Sequence, residues 1–270
     1  KVVLNVQQFR EGLNKSNIKD SLLISELQKS LHPTTRLVVI SHILWNTGQV
    51  MPIHTIATKL QEHPLKPYLL VDGAQSFGQI ALGNAAATSD IYAFTGHKWA
   101  MGPEGLGGVA VSERVLEESN PTLIGWKSIK TEGSIHENNP HPFHKDARRF
   151  EIATSCIPLL AGLRCSLNFL NEQGCPTERL EKIQSLSFKL WTGLKKIKGL
   201  DPILKGPPPT GLVSFSLKNE KKKQSLIKAL GKQNIWIRVL EDPQWLRACL
   251  HITSKEREVE ILLNAIEKLT

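Results

Sequence analysis

Long apolar runs are absent from this sequence, and none approaches the roughly 18 residues that a membrane-spanning helix requires. We therefore expect no membrane partner. The amino terminus, Lys-Val-Val-Leu-Asn at 1–5, has no long apolar core and no small-residue cleavage site, so it lacks the pattern of a signal peptide. It also lacks an initiator methionine, and we expect a fragment or a trimmed chain.

Cysteine is scarce, and the spacing of the four cysteines fits no zinc site, so we predict no bound metal. Without an export signal, reduced buried thiols and a cytoplasmic location are the default expectation. Cys249 lies on a predicted buried strand and is interpreted as structural.

Acidic residues are fewer than basic ones, which gives a formal charge of +9. The excess is scattered, and its densest run is the three lysines at 221–223. No basic stripe with interleaved aromatic residues is present, so we expect no nucleic-acid partner.

Strand and helix patterns alternate in the first half of the chain, which favours an α/β fold with a largely parallel sheet and helices on both faces. The apolar runs at 36–41, 68–71 and 91–94 predict buried strands. Residues 106–111 predict a further strand, which we expect to be antiparallel. Helices are predicted within 6–31 and from Pro52 onward, and residues 112–147 form a long polar connection.

The second half of the chain predicts long helices followed by a small α+β domain. We expect a large domain over 1–155, then linking helices and the small domain over 156–270. The predicted helices cover 158–171, 176–200, 224–230 and 255–269, and the predicted strands cover 212–217, 235–239 and 246–252.

Polar side chains follow two of the predicted parallel strands. Asp72 ends one strand, and Thr95, His97 and Lys98 follow the next. Chemistry in open α/β sheets is placed beyond the carboxyl ends of the strands, so these groups are expected to face one crevice. We expect the flanking His97 and Trp99 to desolvate Lys98 in part, which would lower the pKa of its amine and make it a nucleophile for a carbonyl.

The order and spacing of these residues resemble the class V aminotransferase family. The matching segments are Asp-Gly-Ala-Gln at 72–75, Phe-Thr-Gly-His-Lys at 94–98, and the glycine-rich run at 102–108. The family consists of pyridoxal-phosphate (PLP) enzymes of fold type I and includes cysteine desulfurases and cystine C–S lyases. The resemblance therefore implies PLP as the cofactor and an amino acid as the substrate.

The resemblance also implies a role for each matching residue. Lys98 would be the catalytic lysine that holds the cofactor as a Schiff base and then moves the Cα proton. The remaining cofactor contacts would be Asp72 to the ring nitrogen, Gln75 to the ring phenolate oxygen, Ala74 under the ring, and Thr95 and His97 at the phosphate.

Other matches extend the implied site. Arg-Arg-Phe-Glu-Ile-Ala-Thr at 148–154 resembles a family segment whose threonine reaches the partner's cofactor phosphate, which implies a homodimer with Thr154 in that position. Thr154 as a helix cap is the alternative. Arg247, with Arg238 and Asn46, would bind the substrate carboxylate, because a guanidinium binds a carboxylate in a bidentate way. A surface ion pair is the alternative for either arginine.

The branch within the family is predicted from an absence. The segment 234–243 has no cysteine where desulfurases carry their nucleophile. Ser-His-Ile-Leu-Trp-Asn-Thr-Gly at 41–48 resembles the cystine lyase branch, so β-elimination from cystine or cysteine is the leading hypothesis. A class V aminotransferase, a desulfurase-like enzyme and a truncated inactive remnant stay open, because the family's amino-terminal portion has no counterpart in this sequence.

Overall fold

A computed structural model describes residues 1–4, 18–130, 142–219 and 222–270. Residues 6–17 of the first predicted helix, over 6–31, and residues 131–141 of the predicted polar connection lie outside the described residues. The first described helix is α1, Ile18–Ser30.

The first sheet has four strands in the order β1-β2-β3-β4. Strands β1, β2 and β3 are parallel, and β4 is antiparallel to β3, which confirms the predicted directions. The parallel register pairs Ser41 with Asp72 and Asp72 with Ala93, so the carboxyl ends of the strands lie side by side. The strands are β1 (Leu37–Ser41), β2 (Tyr68–Asp72), β3 (Ile91–Thr95) and β4 (Gly107–Val111).

Helices pack on one face of this sheet. They are α1, α2 (Ile53–Gln61) and α3 (Gly83–Thr88), and they bury Leu69, Val71 and Tyr92 of the strands. Alternate side chains point to opposite faces of a sheet, and on the other face Val39 is 60 % exposed. We predicted helices on both faces of the sheet. Within the described part of the chain, helices cover one face.

The second half of the chain surrounds a second sheet with the order β5-β6-β8-β7. Its core joins the apolar faces of two long helices to the sheet through Leu190, Phe215 and Ile266. The short helix α4 (Glu113–Glu118) follows β4 directly. The elements of the second half are α5 (Ile157–Glu172), α6 (Pro176–Lys196), β5 (Leu200–Pro202), β6 (Leu212–Leu217), α7 (Lys223–Gly231), β7 (Arg238–Val239), β8 (Leu246–Cys249) and α8 (Glu256–Leu269).

The structure corrects several local predictions. Strand β7 has two residues, whereas residues 235–239 were expected to be extended. Helix α4 lies in the region expected to be a connection, and its amino terminus is capped by the Ser112 side chain. All four cysteines are free and exposed, Cys249 included, so the expectation of buried thiols is wrong. Within the described residues, no helix is long and apolar enough to cross a membrane.

Hydrogen bonds join the residues just before β6 to the loops that follow β1 and β2. The Thr210 hydroxyl donates to the Gly48 carbonyl over 2.8 Å, and the Gly211 amide donates to the Gln79 side chain over 2.6 Å. Added side-chain atoms have no room at Gly48, whose φ is +79° and whose ideal Cβ would lie 2.6 Å from the Leu212 carbonyl oxygen. The backbones of the two halves of the chain are therefore in close contact here.

Candidate active site

A cavity of about 410 Å³ opens between the two sheets at the carboxyl ends of the parallel strands. Both halves of the chain contribute to it, which is the usual position for a binding site in open α/β proteins. Its lining comprises Ser41, Ile43, Trp45, Asp72, Ala74, Gln75, Lys98, Arg238 and Arg247. Six residues predicted from the sequence, Asp72, Ala74, Gln75, Lys98, Arg238 and Arg247, are thus brought together.

Asp72 is held at the end of β2 by its neighbours. Its side-chain Oδ1 accepts a hydrogen bond from the Ala74 amide over 2.9 Å, and its backbone carbonyl accepts one from the His42 amide over 2.9 Å. The Gly73 amide donates to the Ala93 carbonyl of β3 over 2.7 Å. The carboxylate itself is exposed on the cavity, so it presents a negative charge there.

Three buried side chains, those of His42, Tyr92 and Ser76, form hydrogen bonds that support the turn after Asp72. The Tyr92 hydroxyl lies 2.8 Å from Nδ1 of His42 and 2.6 Å from the Ser76 hydroxyl, which also donates to the Gly73 carbonyl over 3.1 Å. Burial lowers the pKa of His42 to about 4 and raises the pKa of Tyr92 to about 12. Both side chains are therefore neutral near neutral pH, and they link the three strand ends.

Lys98 lies on the cavity, but its environment differs from the sequence-based expectation. The Lys98 side chain is exposed, whereas Trp99 is 6 % exposed and packs with Ile43, Ile80 and Leu212. Trp99 therefore does not cover the amine, and the expected desolvation of Lys98 by Trp99 is wrong in this structure. The lysine amine is presented to the cavity on the loop that follows β3.

Thr95 and His97 lie beside each other at the end of β3. The Thr95 hydroxyl lies 2.6 Å from Nδ1 of His97. Neither side chain is among the described residues that line the cavity. Their role at a phosphate group therefore stays a prediction. His97 is exposed, and Thr95 is half-buried.

Arg238 and Arg247 form a direct cross-strand pair between β7 and β8. Like charges opposite each other in a sheet are unfavourable unless an anion compensates them. None of the ion pairs within 4.0 Å between described residues involves either arginine. Nε of Arg247 is buried and has no hydrogen-bond partner among the described residues. Together these features fit an anionic group such as a carboxylate.

The remaining predicted residues lie outside the described lining. Asn46 is half-buried next to Trp45, and it is Trp45, missed by the sequence reasoning, that lines the cavity. The signal that could have identified Trp45 is the position of the 41–48 loop directly after a predicted strand. Thr154 is exposed and lies two residues before Cys156, the N-cap of α5. The helix-cap alternative for Thr154 is therefore wrong.

Comparison with known proteins places the chain in a family. The family model for class-V aminotransferases matches residues 13–262, and the chain belongs to this family. It is 29 % identical to the isopenicillin N epimerase of Amycolatopsis lactamdurans, covering 99 % of this chain and 68 % of that protein. A probable cysteine desulfurase of Mycolicibacterium paratuberculosis is 28 % identical over 92 % of this chain.

Solved structures extend the comparison. A complex between the cystine C–S lyase C-DES and its reaction product cysteine persulfide is 37 % identical, with a TM-score of 0.85 over 96 % of this chain and 66 % of that one. A C-DES mutant with glycine covalently linked to the PLP cofactor is 36 % identical, with a TM-score of 0.85 over 94 % of this chain and 65 % of that one. The chain spans 37 % of the M. paratuberculosis desulfurase.

These relationships confirm the predicted family and the predicted PLP fold type I architecture. The donor set of the cavity fits that cofactor. A carboxylate at Asp72 suits a protonated ring nitrogen, an amide at Gln75 suits a ring oxygen, and a free amine at Lys98 suits a carbonyl carbon. Arg238 and Arg247 add two guanidinium groups to the same cavity, which suits a further anionic group.

Proposed function

We propose that this chain carries the cofactor and substrate sites of a PLP-dependent lyase. It would cleave the C–S bond of cystine or a cysteine-type amino acid by β-elimination. The observation that carries the proposal is the single cavity that joins Lys98 and Asp72 of one sheet region to Arg238 and Arg247 of the other. The similarity to C-DES, a cystine C–S lyase, supports the reaction type.

Lys98 and Asp72 divide the chemistry on the cofactor side. When bound, PLP supplies an electron sink for the charge that is left on Cα. The Asp72 carboxylate would keep the ring nitrogen protonated, which the sink requires. The Lys98 amine would hold the cofactor at its carbonyl carbon and would accept the Cα proton at Nζ.

Arg238 and Arg247 orient the substrate. Their paired guanidinium groups would receive the α-carboxylate and relieve the repulsion between them. With the carboxylate fixed by the arginines, the Cα proton would be directed to Lys98, which lines the same cavity. Loss of that proton and departure of the β-sulfur yield a persulfide from cystine, and the remaining three-carbon fragment hydrolyses to pyruvate and ammonia.

Turnover of L-cystine by the PLP-loaded chain tests this proposal. We expect pyruvate and a persulfide or sulfide product, abolished in Lys98→Ala and retained in Lys196→Ala. Lys196 is an exposed lysine at the end of α6 and serves as the matched control. Bound PLP without pyruvate or sulfide would rule out the lyase and leave an aminotransferase as the first alternative.

We also propose a homodimer in which Thr154 faces the partner's cofactor phosphate. Two neighbouring segments, 123–128 and 150–157, carry exposed apolar side chains, and Thr154 lies in the second. The segments are in contact, since the Ser128 hydroxyl donates to the Glu151 carbonyl over 2.6 Å. A contiguous exposed apolar surface is typical of an interface. The exposed apolar residues of these segments are Leu123, Ile124, Trp126, Phe150, Ile152 and Ile157.

Sedimentation equilibrium tests the dimer. The native chain should be dimeric, and Trp126→Glu should be monomeric. The control is Trp236→Glu, because Trp236 is equally apolar and 80 % exposed but lies in the second half of the chain. A native chain that stays monomeric at all concentrations would contradict the proposal.

A further inference from the structure

Trp99 connects three parts of the site, although its side chain is buried and does not line the cavity in the described structure. Its indole Nε1 donates a hydrogen bond to Oε1 of Gln75 over 2.8 Å. Its backbone carbonyl lies 3.0 Å from Nε2 of His251, and its ring stacks on the His251 ring with centroids 5.7 Å apart.

The chemistry of the indole decides which end of the Gln75 amide it meets. An indole nitrogen can donate a hydrogen bond but cannot accept one. The Gln75 atom at 2.8 Å must therefore be the amide oxygen. The amide nitrogen, which carries two N–H donors, is then the end that remains for the cavity that Gln75 lines.

Gln75 is also fixed through its backbone. Its carbonyl accepts a hydrogen bond from the side chain of Gln79 over 2.7 Å, and Gln79 in turn accepts one from the Gly211 amide over 2.6 Å. Gly211 lies against the Trp99 ring, since an added Cβ there would be 2.7 Å from Cη2 of Trp99. The second half of the chain therefore braces both Gln75 and Trp99.

We propose that Trp99 is a positioning residue that fixes the side-chain amide of Gln75, with the oxygen bound to the indole and the nitrogen donating into the cavity. The ligand group that this arrangement suits is an acceptor oxygen with negative charge. The inference rests on the proposed PLP site, where the ring phenolate oxygen is such a group. A free amide would present either end, and its oxygen would repel the phenolate.

A double-mutant cycle of Trp99→Phe and Gln75→Leu tests the proposal in the PLP-free and PLP-bound chain. Each single variant should weaken PLP binding about fivefold to tenfold, the effect of losing one hydrogen bond. Trp99→Phe should then change the affinity of the Gln75→Leu chain less than about twofold, because its effect passes through Gln75. Effects that multiply in the double variant would overturn the proposal.

Trp191→Phe is the matched control. Trp191 is 8 % exposed, and its Nε1 donates to the Leu204 carbonyl over 2.9 Å in the core of the second half. This variant loses an equivalent buried hydrogen bond away from the cavity. It should lower the melting temperature without changing PLP affinity.

A measurement on the native chain keeps the proposal testable if Trp99→Phe does not fold. The side-chain amide resonances of Gln75, assigned by their loss in Gln75→Leu, should shift when PLP is added. Resonances that do not move on PLP binding would overturn the proposal. If the native chain binds no PLP, the proposed function fails, and the melting temperatures of the PLP-free cycle still decide whether Trp99 and Gln75 are coupled.

Discussion

Arg247 of β8 donates a hydrogen bond from Nη1 to the backbone carbonyl of Trp45 over 2.5 Å. The two residues are 202 positions apart in the sequence and belong to different sheet regions. Its guanidinium carbon also lies 5.8 Å from the centroid of the Trp45 ring. This contact fixes one end of the guanidinium of Arg247, a residue that also lines the cavity.

Arg247→Lys should raise the KM for the amino-acid substrate, because a lysine ammonium cannot bind a carboxylate through two parallel hydrogen bonds. We expect KM to rise about tenfold to a hundredfold, the range for losing a hydrogen bond to a charged group. Steady-state kinetics with cystine measure it. Arg257→Lys, at an exposed arginine of α8, is the control and should leave KM unchanged. An unchanged KM in Arg247→Lys would contradict carboxylate binding.

Tyr92→Phe removes the hydroxyl shared by His42 and Ser76 below the Asp72 turn. Both partners are buried, so the free energy of unfolding should fall by about 1–3 kcal/mol. Urea denaturation measures the change. Tyr68→Phe is the control, since the Tyr68 hydroxyl bonds to Glu118 in an exposed pair and should contribute less. Equal decreases in the free energy of unfolding in Tyr92→Phe and Tyr68→Phe would contradict a supporting role for Tyr92.

Stability should fall as the pH is lowered from about 6.5 toward about 4, because of His42. Burial lowers its folded pKa from 6.5 to about 4, so in this window the unfolded chain binds a proton that the folded chain does not. Such a group reduces stability by at most about 1.4 kcal/mol per pH unit on acidification.

Urea midpoints between pH 7 and pH 4.5 measure this dependence. His42→Asn should have a shallower slope than the native chain. His54→Asn, at an exposed histidine of α2, should retain the native slope. A slope that is unchanged in His42→Asn would remove His42 as its source.

Cys249→Ser distinguishes the lyase from a desulfurase. Cys249 is exposed and lies two residues after Arg247 on the same face of β8. The lyase proposal needs no protein thiol, so pyruvate formation should persist in Cys249→Ser and in the control Cys156→Ser. Loss of activity in Cys249→Ser alone, with sulfur bound to the native protein, would instead favour a desulfurase.

The strands and the position of the site follow from local sequence patterns. Short continuous apolar runs predicted β1, β2 and β3. The rule that chemistry lies beyond the carboxyl ends of strands predicted that Asp72 and Lys98 share one crevice, and both line the cavity. The antiparallel direction of β4 was also predicted and is confirmed. The division into 1–155 and 156–270 and the cytoplasmic location stay predictions.

Contacts across the two halves could not be predicted, because no local pattern encodes them. Trp99 is turned away from Lys98 by His251 and Gly211, which lie more than a hundred residues later. In the same way, Trp45 lines the cavity beside Arg247, a residue 202 positions later that donates to the Trp45 carbonyl. The exposure of Cys249 depends on which face of β8 packs on the core, and that face is the one carrying Leu246 and Ala248.

The central claim is that Lys98 binds the cofactor covalently. The most direct measurement is borohydride reduction of the PLP-treated chain, followed by proteolysis and mass spectrometry of the lysine peptides. The account predicts a pyridoxyl group on Lys98, and no labelled peptide and no visible absorption band in Lys98→Ala. A stoichiometric label on another lysine, or a band that persists in Lys98→Ala, would contradict it.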